Sequence, residues 1–360
     1  MTIPLFDTYP RLRSALPYIA LGALPTPVER WTALEQEIGI GTLHVKCDNV
    51  SGLLYGGNKV RKLEFLLGRT VQEGVKTVLT FGAAGSNHAL APALYARGLG
   101  VNCVSMLVPQ ANAPSVQRNL LFAHRQGAEL HLYPGRKRVA LATLMQFQRL
   151  KRQQGRFPQV IPPGGSSPTG CLGFVNAAFE LRQQVEAGLL PEPGLIYVAS
   201  GTMGTCIGLL LGLRACGLQS KVMATRVTSP PYTSAEKGRK LYQGTQTTLR
   251  EADPTFPASS FPAEQFELRD EFLGEGYGLP TPGGAEAIAM AQQAGMKLEG
   301  TYTGKALAGL IADARAGKLR EKNVLFWNTY NSRDFSAEIR HVDYHALPSG
   351  FHPYFETGAQ

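Results

Sequence analysis

The chain has 360 residues, 44% hydrophobic and 18% charged, with 40 glycines and 24 prolines. This is the ordinary make-up of a soluble protein, and the length exceeds one small core, so two domains or lobes are expected. A net charge of +9 invites a nucleic-acid reading, but the densest basic runs are only GRKR (135–138) and RLKRQQGR (149–156), with no basic tail and no zinc-finger spacing. No nucleic-acid partner is expected; the charge suits anionic small molecules.

In chain order, RLRSALPYIALGAL (11–24) has the basic start and apolar middle of an export signal. Pro17 interrupts it, Pro25 follows it and its middle is thinly apolar, so export is not expected. The stretch GGNKVRKLEF (56–65) then places Lys59 at the start of a helical pattern, with Val60, Leu63 and Leu67 on one face. A helix N-terminus disfavours a cation, so this amine is either a solvated charge or one meant to be neutral and nucleophilic.

Strand-like and helical runs alternate from there. KTVLTF (76–81) precedes a helix starting near Asn87, within which Pro92 is expected to kink the helix or delay its start. VNCVSMLV (101–108) precedes a helix over 114–127, and ELHLY (129–133) a helix through the 140s. A helix over 174–188, the strand LIYVAS (195–200), a helix to about Cys216 and the strand KVMATRV (221–227) follow. Segment 228–265 reads as an irregular surface excursion. Helices over 283–295 and 304–317 and a strand over 323–329 complete the series, and the last fifteen residues form a tail that wraps or frays. The alternation predicts an α/β fold with parallel sheets. CIGLLLGL (206–213) is far shorter than the roughly 20 residues that span a bilayer, so no membrane partner is expected. Five widely spaced cysteines without C-x-x-C read as buried reduced thiols, which implies a cytoplasmic location.

Ligands of open α/β sheets bind beyond the carboxyl ends of strands, and two such loops are rich in small residues: GAAGSN (82–87) and SGTMGT (200–205). Each feeds a helix, where backbone N–H groups converge on an anion; for the second, a phosphate is expected, with Ser200, Thr202 and Thr205 adding hydroxyls. Neither loop is G-x-G-x-x-G or G-x-x-x-x-G-K-[ST], which disfavours a nicotinamide dehydrogenase or a nucleoside triphosphate site.

Together with GGSSPTGCLGFVNAAFEL (164–181), GEGYGLPTP (274–282) and TYTGKALAGL (301–310), these segments resemble the aminocyclopropane-carboxylate deaminase and D-cysteine desulfhydrase family of pyridoxal-phosphate enzymes. The resemblance runs from LPTPVERW (24–31) to VLFWNT (324–329). It implies the two-domain fold type II of tryptophan synthase β. The large cofactor-binding domain would be 1–60 plus 173–345, the small inserted αβ domain 61–172 and the tail 346–360, with the cofactor in the interdomain cleft. It further implies pyridoxal 5'-phosphate, a small amino-acid substrate, a homodimer and no metal.

By the same resemblance Lys59 forms the Schiff base, and Asn87 hydrogen-bonds the phenolic oxygen of the cofactor. Ser86 lies near the substrate carboxylate, with His88 beside it as a capping or orienting residue. Ser200, Gly201, Thr202, Met203, Gly204 and Thr205 match the phosphate cup, with Lys62 a weaker candidate. Tyr277 and Tyr302 match two active-site tyrosines, which act as acid or base if the cofactor and cationic groups lower their pKa, and otherwise as aromatic walls. Ring-opening deaminases carry a glutamate where Thr303 stands and a leucine where Thr329 stands. Thr329 follows the desulfhydrase pattern and contacts the pyridine nitrogen; Thr303 is assigned to substrate. A thiolate leaves as a stable anion and needs less help from an electron sink than a cyclopropane ring, so both threonines favour β-elimination.

The resemblance thus implies a lyase most like D-cysteine desulfhydrase, making pyruvate, sulfide and ammonia from D-cysteine. The alternatives are a 1-aminocyclopropane-1-carboxylate deaminase, a cysteate sulfo-lyase and a non-catalytic pyridoxal-phosphate-binding protein. Departures from the family pattern are Asn328, Tyr330 and Asn331 in place of its histidine and glycines, and Lys46-Cys47-Asp48-Asn49 upstream; the two bulky replacements imply a pocket of different shape.

Overall fold

NVLFW and LIYVAS are apolar on both faces, the pattern of strands covered by helices on either side. In the computed structural model, which describes residues 3–356, they are the central strands of a six-stranded sheet. Its members are β1 (Val28–Arg30), β2 (Thr42–Lys46), β7 (Leu195–Ser200), β8 (Lys221–Arg226), β9 (Phe266–Arg269) and β10 (Asn323–Trp327), in the order β1-β2-β10-β7-β8-β9. All neighbours are parallel except the antiparallel edge pair β1–β2. Phe326 stands opposite Val45 on one side and Tyr197 on the other, fixing the register at the middle of the core. A second sheet holds β3 (Thr77–Ala83), β4 (Asn102–Val108), β5 (Glu129–Leu132) and β6 (Gln159–Ile161), all parallel, in the order β5-β4-β3-β6. The protein is α/β, with mostly parallel sheets flanked by helices, as the alternation of its sequence predicts.

Each sheet belongs to its own compact unit. The first comprises Met1–Leu16, Ala20–Phe65 and Ser166–Ser332; the second comprises Pro17–Ile19, Leu66–Gly165 and Arg333–Gln360. The division falls inside the helix Lys59–Gln72. In the first unit the helix Gly204–Cys216 is apolar around its whole circumference because it is a core helix. Its Gly208 and Gly212 cross the helix Pro168–Glu186 so closely that an added Cβ would lie 2.5 Å from the Cys171 carbonyl and 2.6 Å from the Ala178 Cβ. No described helix is long and apolar enough to cross a membrane, and all five cysteines are buried thiols without disulfide partners.

Segment 228–265 is the main departure from the sequence reading, because it contains an eighteen-residue helix, Ala235–Ala252, capped by the Ser234 side chain. The helix buries Leu241, Tyr242, Thr245 and Leu249 along one stripe, a helical spacing obscured by Gly238, Gly244 and the neighbouring threonines. Pro92 does not delay its helix, which starts at Asn87 under a Ser86 cap and runs on to Gly98. In the C-terminal segment short turns occupy Tyr344–Ala346, Ser349–Phe351 and Pro353–Glu356; the expected tail residues 357–360 lie outside the described residues.

A buried set of charges ties the first unit together. Lys46 Nζ donates to Glu180 Oε1 at 2.5 Å, to Gln184 Oε1 at 2.7 Å and to the Thr26 carbonyl at 2.8 Å. Arg61 spans Glu180 Oε2 at 2.8 Å, Asp48 Oδ1 at 2.8 Å and Thr26 Oγ1 at 2.9 Å, and Trp327 Nε1 donates to Asp48 Oδ2 at 2.8 Å. Burial alone would raise the Glu180 pKa, but Arg61 and Lys46 outweigh it and hold the carboxyl down at about 2. Because the folded pKa is depressed, the stability this gives is fully present above the ordinary 4.5 and is lost as pH falls toward about 2. Arg61→Met would leave Asp48 buried without its cationic partner and Glu180 with Lys46 alone. We expect it to cost about 3–5 kcal/mol, read as a lower urea midpoint at unchanged m-value, and Glu180→Gln to flatten the loss of stability in acid.

Candidate active site

The lysine helix starts abruptly because the chain before it has no freedom. Gly57 adopts a left-handed φ of +84°, and a Cβ there would lie 2.7 Å from the Thr329 carbonyl. Its N–H donates to the Asp48 carbonyl, its carbonyl accepts from Ser51 Oγ, and the next N–H, of Asn58, donates to the Thr329 carbonyl at 3.2 Å. Lys59 Nζ, thus presented, donates to Asn58 Oδ1 at 2.9 Å, while Asn58 Nδ2 donates to Thr205 Oγ1 at 3.0 Å. Burial first, and then the Lys62 ammonium, lower the Lys59 pKa to about 7, against the opposing pull of Glu299. The amine of the opening motif is therefore substantially neutral near physiological pH.

The loop after β7 meets Lys62. Ser166 Oγ accepts from Gly204 N at 3.0 Å and lies 2.7 Å from Thr202 Oγ1. A Cβ on Gly204 would fall 2.4 Å from that Oγ and 3.0 Å from Lys62 Nζ, so glycine alone keeps this concavity open. Met203 takes the left-handed conformation at φ 74°, the one non-glycine residue with positive φ among the described residues. That costs on the order of 1–2 kcal/mol, at the residue directly before the helix Gly204–Cys216. Ser200 Oγ is buried and donates to Met203 Sδ, and the Gly201 carbonyl accepts from Thr228 and Thr233.

Tyr302 lies beside both. Lys59 Nζ is 5.9 Å from its ring centroid, and a Cβ on Gly201 would be 3.1 Å from its Cε1. Its hydroxyl is 2.8 Å from that of Tyr277, and the rings pack edge to face at 6.0 Å. Tyr277 keeps 39% of its surface exposed on a loop held by buried Lys305, whose Nζ donates to the Leu273 and Gly276 carbonyls. Burial, Tyr277 and Glu299 raise the Tyr302 pKa well above its ordinary value. Thr303 is buried with its hydroxyl engaged by Glu299: Oγ1 is 3.3 Å from Glu299 Oε1 and accepts from Glu299 N at 3.0 Å.

The strap after β10 explains the unusual Asn-Thr-Tyr-Asn. Asn331 Oδ1 accepts from Gly56 N at 2.7 Å, and the Ser332 hydroxyl donates to the Asn49 carbonyl at 3.0 Å. A Cβ on Gly56 would sit 2.1 Å from that same carbonyl. The Asn331 side chain thereby clasps the loop that presents the lysine.

In the second unit Ser86 Oγ caps its helix, accepting from His88 N and Ala89 N, and Gly82 leaves room for it. His88 is buried with Nε2 3.3 Å from Thr80 Oγ1. Asn87 Oδ1 accepts from Asn119 Nδ2 at 2.9 Å, which directs its own amide donors elsewhere. Asn58, Ser166, Asn119 and Glu299 carry no role in the sequence reading. The first two lie inside its motifs, whereas Asn119 and Glu299 have no local signal.

A neutralised lysine beside a small-residue helix start, on parallel α/β sheets, defines an enzyme class that holds a phosphate-bearing aldehyde. The family described as "Pyridoxal-phosphate dependent enzyme" matches residues 19–329. The chain is 32% identical over 327 residues to the D-cysteine desulfhydrase of Klebsiella pneumoniae (strain 342), covering 87% of this chain and 93% of that protein. A Pyrococcus abyssi (strain GE5 / Orsay) protein, named a 1-aminocyclopropane-1-carboxylate deaminase as an assignment still to be proven, is 34% identical over 322 residues, 88% and 92% of the two chains. A crystal structure described as an ACC deaminase homologue superposes with a TM-score of 0.77 at 30% identity, covering 95% of this chain and all of that one. This chain belongs to the pyridoxal-phosphate dependent enzymes, with fold type II architecture.

The residues fit that cofactor: the Gly204 concavity, with Lys62 and Ser166 converging on it, suits a phosphate, and Lys59 supplies an amine able to react with an aldehyde. Asn331→Ala would strand the buried Gly56 N–H, at a cost of about 1–3 kcal/mol. Asn331→Asp, which keeps an acceptor, is expected to recover most of that in thermal unfolding.

Proposed function

We propose that the enzyme is a lyase that acts on a small amino acid by β-elimination, converting D-cysteine to pyruvate, sulfide and ammonia. The observation that carries this reading is the pair Thr303 and Thr329, both buried, which stand where ring-opening deaminases carry a glutamate and a leucine. The desulfhydrase relative supports it. Ring opening of 1-aminocyclopropane-1-carboxylate is the second reading, favoured by the Pyrococcus name and by the ACC deaminase homologue.

Bound, the cofactor supplies an electron sink for charge that develops at the substrate Cα. The backbone N–H groups of residues 201–205, with Lys62, Ser166 and Thr202, would hold its phosphate, and Thr329 would offer its pyridine nitrogen a neutral hydroxyl. Asn87 would give an amide donor to its phenolic oxygen, because its own carbonyl oxygen is engaged by Asn119. Ser86 Oγ accepts two backbone bonds and still has its own proton to give to the substrate carboxylate. Lys59 Nζ, with its pKa at about 7, takes the Cα proton once the substrate amine has displaced it. Tyr302, protonated and paired with Tyr277, frames the leaving group and donates to it. Five buried thiols support a reducing, cytoplasmic setting, and we take the active form to be a homodimer.

Borohydride reduction of the holoenzyme should fix the pyridoxyl group on Lys59, and Lys59→Ala should fold yet lose turnover by at least about a thousandfold. A label on Lys62 or Lys305 would refute the assignment. D-Cysteine and β-chloro-D-alanine should release pyruvate far faster than 1-aminocyclopropane-1-carboxylate releases α-ketobutyrate, and the reverse order would select the deaminase reading.

A further inference from the structure

Glu299, on the turn before the helix Thr303–Arg315, has a half-buried carboxylate with every bond directed at the residues around Tyr302. Oε1 accepts from Tyr302 N at 2.7 Å and Thr303 N at 2.9 Å, and Oε2 accepts from Thr301 N at 2.8 Å. The Thr303 hydroxyl closes the turn from the other side, and Gly304 N donates to the Glu299 carbonyl. Three consecutive N–H groups, orphaned at a helix start, thus converge on one carboxylate. Held by them, Tyr302 keeps its ring against Lys59 and Gly201 and its hydroxyl on Tyr277.

We propose that Glu299 is a positioning residue of the active site: its carboxylate, bound by the N–H groups of 301–303, fixes the Tyr302–Tyr277 pair against Lys59 and places a negative charge on that side of the reacting lysine. The inference rests on Lys59 being that lysine. The charged and titratable groups facing Lys59 are few. Lys62, on the same helix, pushes a proton off it; Glu299 pulls the other way; Tyr302, backed by Tyr277 and Tyr55, is a phenol with its pKa raised. Glu299 therefore opposes the loss of the Lys59 proton that burial and Lys62 favour.

Gln at 299 removes the charge and turns an amide nitrogen toward a backbone N–H, whereas Asp keeps the charge with a shorter reach. Full-length protein freed of cofactor is labelled with trace acetic anhydride across pH, and acetylation is quantified on the Lys59 peptide. Amide exchange over 301–303 is followed in parallel. Wild type should titrate at about 7. Glu299→Gln should lower that midpoint by about one unit, and exchange at 301–303 should rise on the order of tenfold, as expected for losing a charge-assisted bond. Glu299→Asp should keep the wild-type midpoint while exchange rises. A Glu299→Gln midpoint equal to that of wild type overturns the proposal. If that variant does not fold, a Glu299→Asp midpoint about one unit below wild type does so. Acetylation needs no cofactor and borohydride labelling does, so failure of this inference is distinguishable from failure of Lys59 as the cofactor lysine.

Discussion

Four buried charges in the first unit constrain everything near the reactive lysine. Arg61 lies two residues after Lys59 and cannot move without stranding Asp48 and loosening Glu180, on which Lys46 closes the set. Four charges without water are stable only when geometry satisfies them all, so the network tolerates essentially one arrangement of β2, the lysine helix, the helix Pro168–Glu186 and the end of β10. Specificity of position, more than stability, is what such a network provides. The Asp48 carbonyl extends the same constraint to Gly57, one peptide from the residue preceding Lys59.

Within that frame, Lys59 and Lys62 lie one turn apart and serve opposite ends. Both are lowered by burial, Lys59 to about 7 and Lys62 to about 8, and Lys62 pushes its neighbour further toward neutrality. Anion binding beside Lys62 would restore the cationic form there, since an added negative charge favours it. The helix dipole that makes Lys59 look anomalous in the sequence is thus accompanied by two stronger influences, desolvation and a second ammonium. The tyrosines follow the opposite course: burial, Tyr277 and Glu299 drive Tyr302 up.

The departures from the family pattern acquire meaning from long-range contacts. Asn331 stands where the pattern has a glycine, yet its side chain satisfies a backbone N–H 275 residues away and steadies the segment that presents Lys59. Thr303 stands where a glutamate marks the deaminases, yet an acid is still nearby, because Glu299 folds back over one turn. That carboxylate is spent on the backbone N–H groups of 301–303.

The parallel α/β architecture, the helix that starts at Lys59 and the small-residue loop after β7 were legible in the sequence because each is written locally. Strand runs buried on both faces are continuously apolar, a helix start needs its own capping pattern, and a small-residue turn has to be made of small residues. The amphipathic helix Ala235–Ala252 was hidden because its stripe is diluted by glycines and threonines, and edge strands such as β1 and β9 are too short to carry a period. Only the tertiary structure decided which polar groups share a charge or a proton. Glu299, Ser166 and Asn119 owe their places to contacts with no periodic or motif signature. The value of about 7 for Lys59 comes from its burial and from one neighbour of each sign, a sum over space that no stretch of sequence contains.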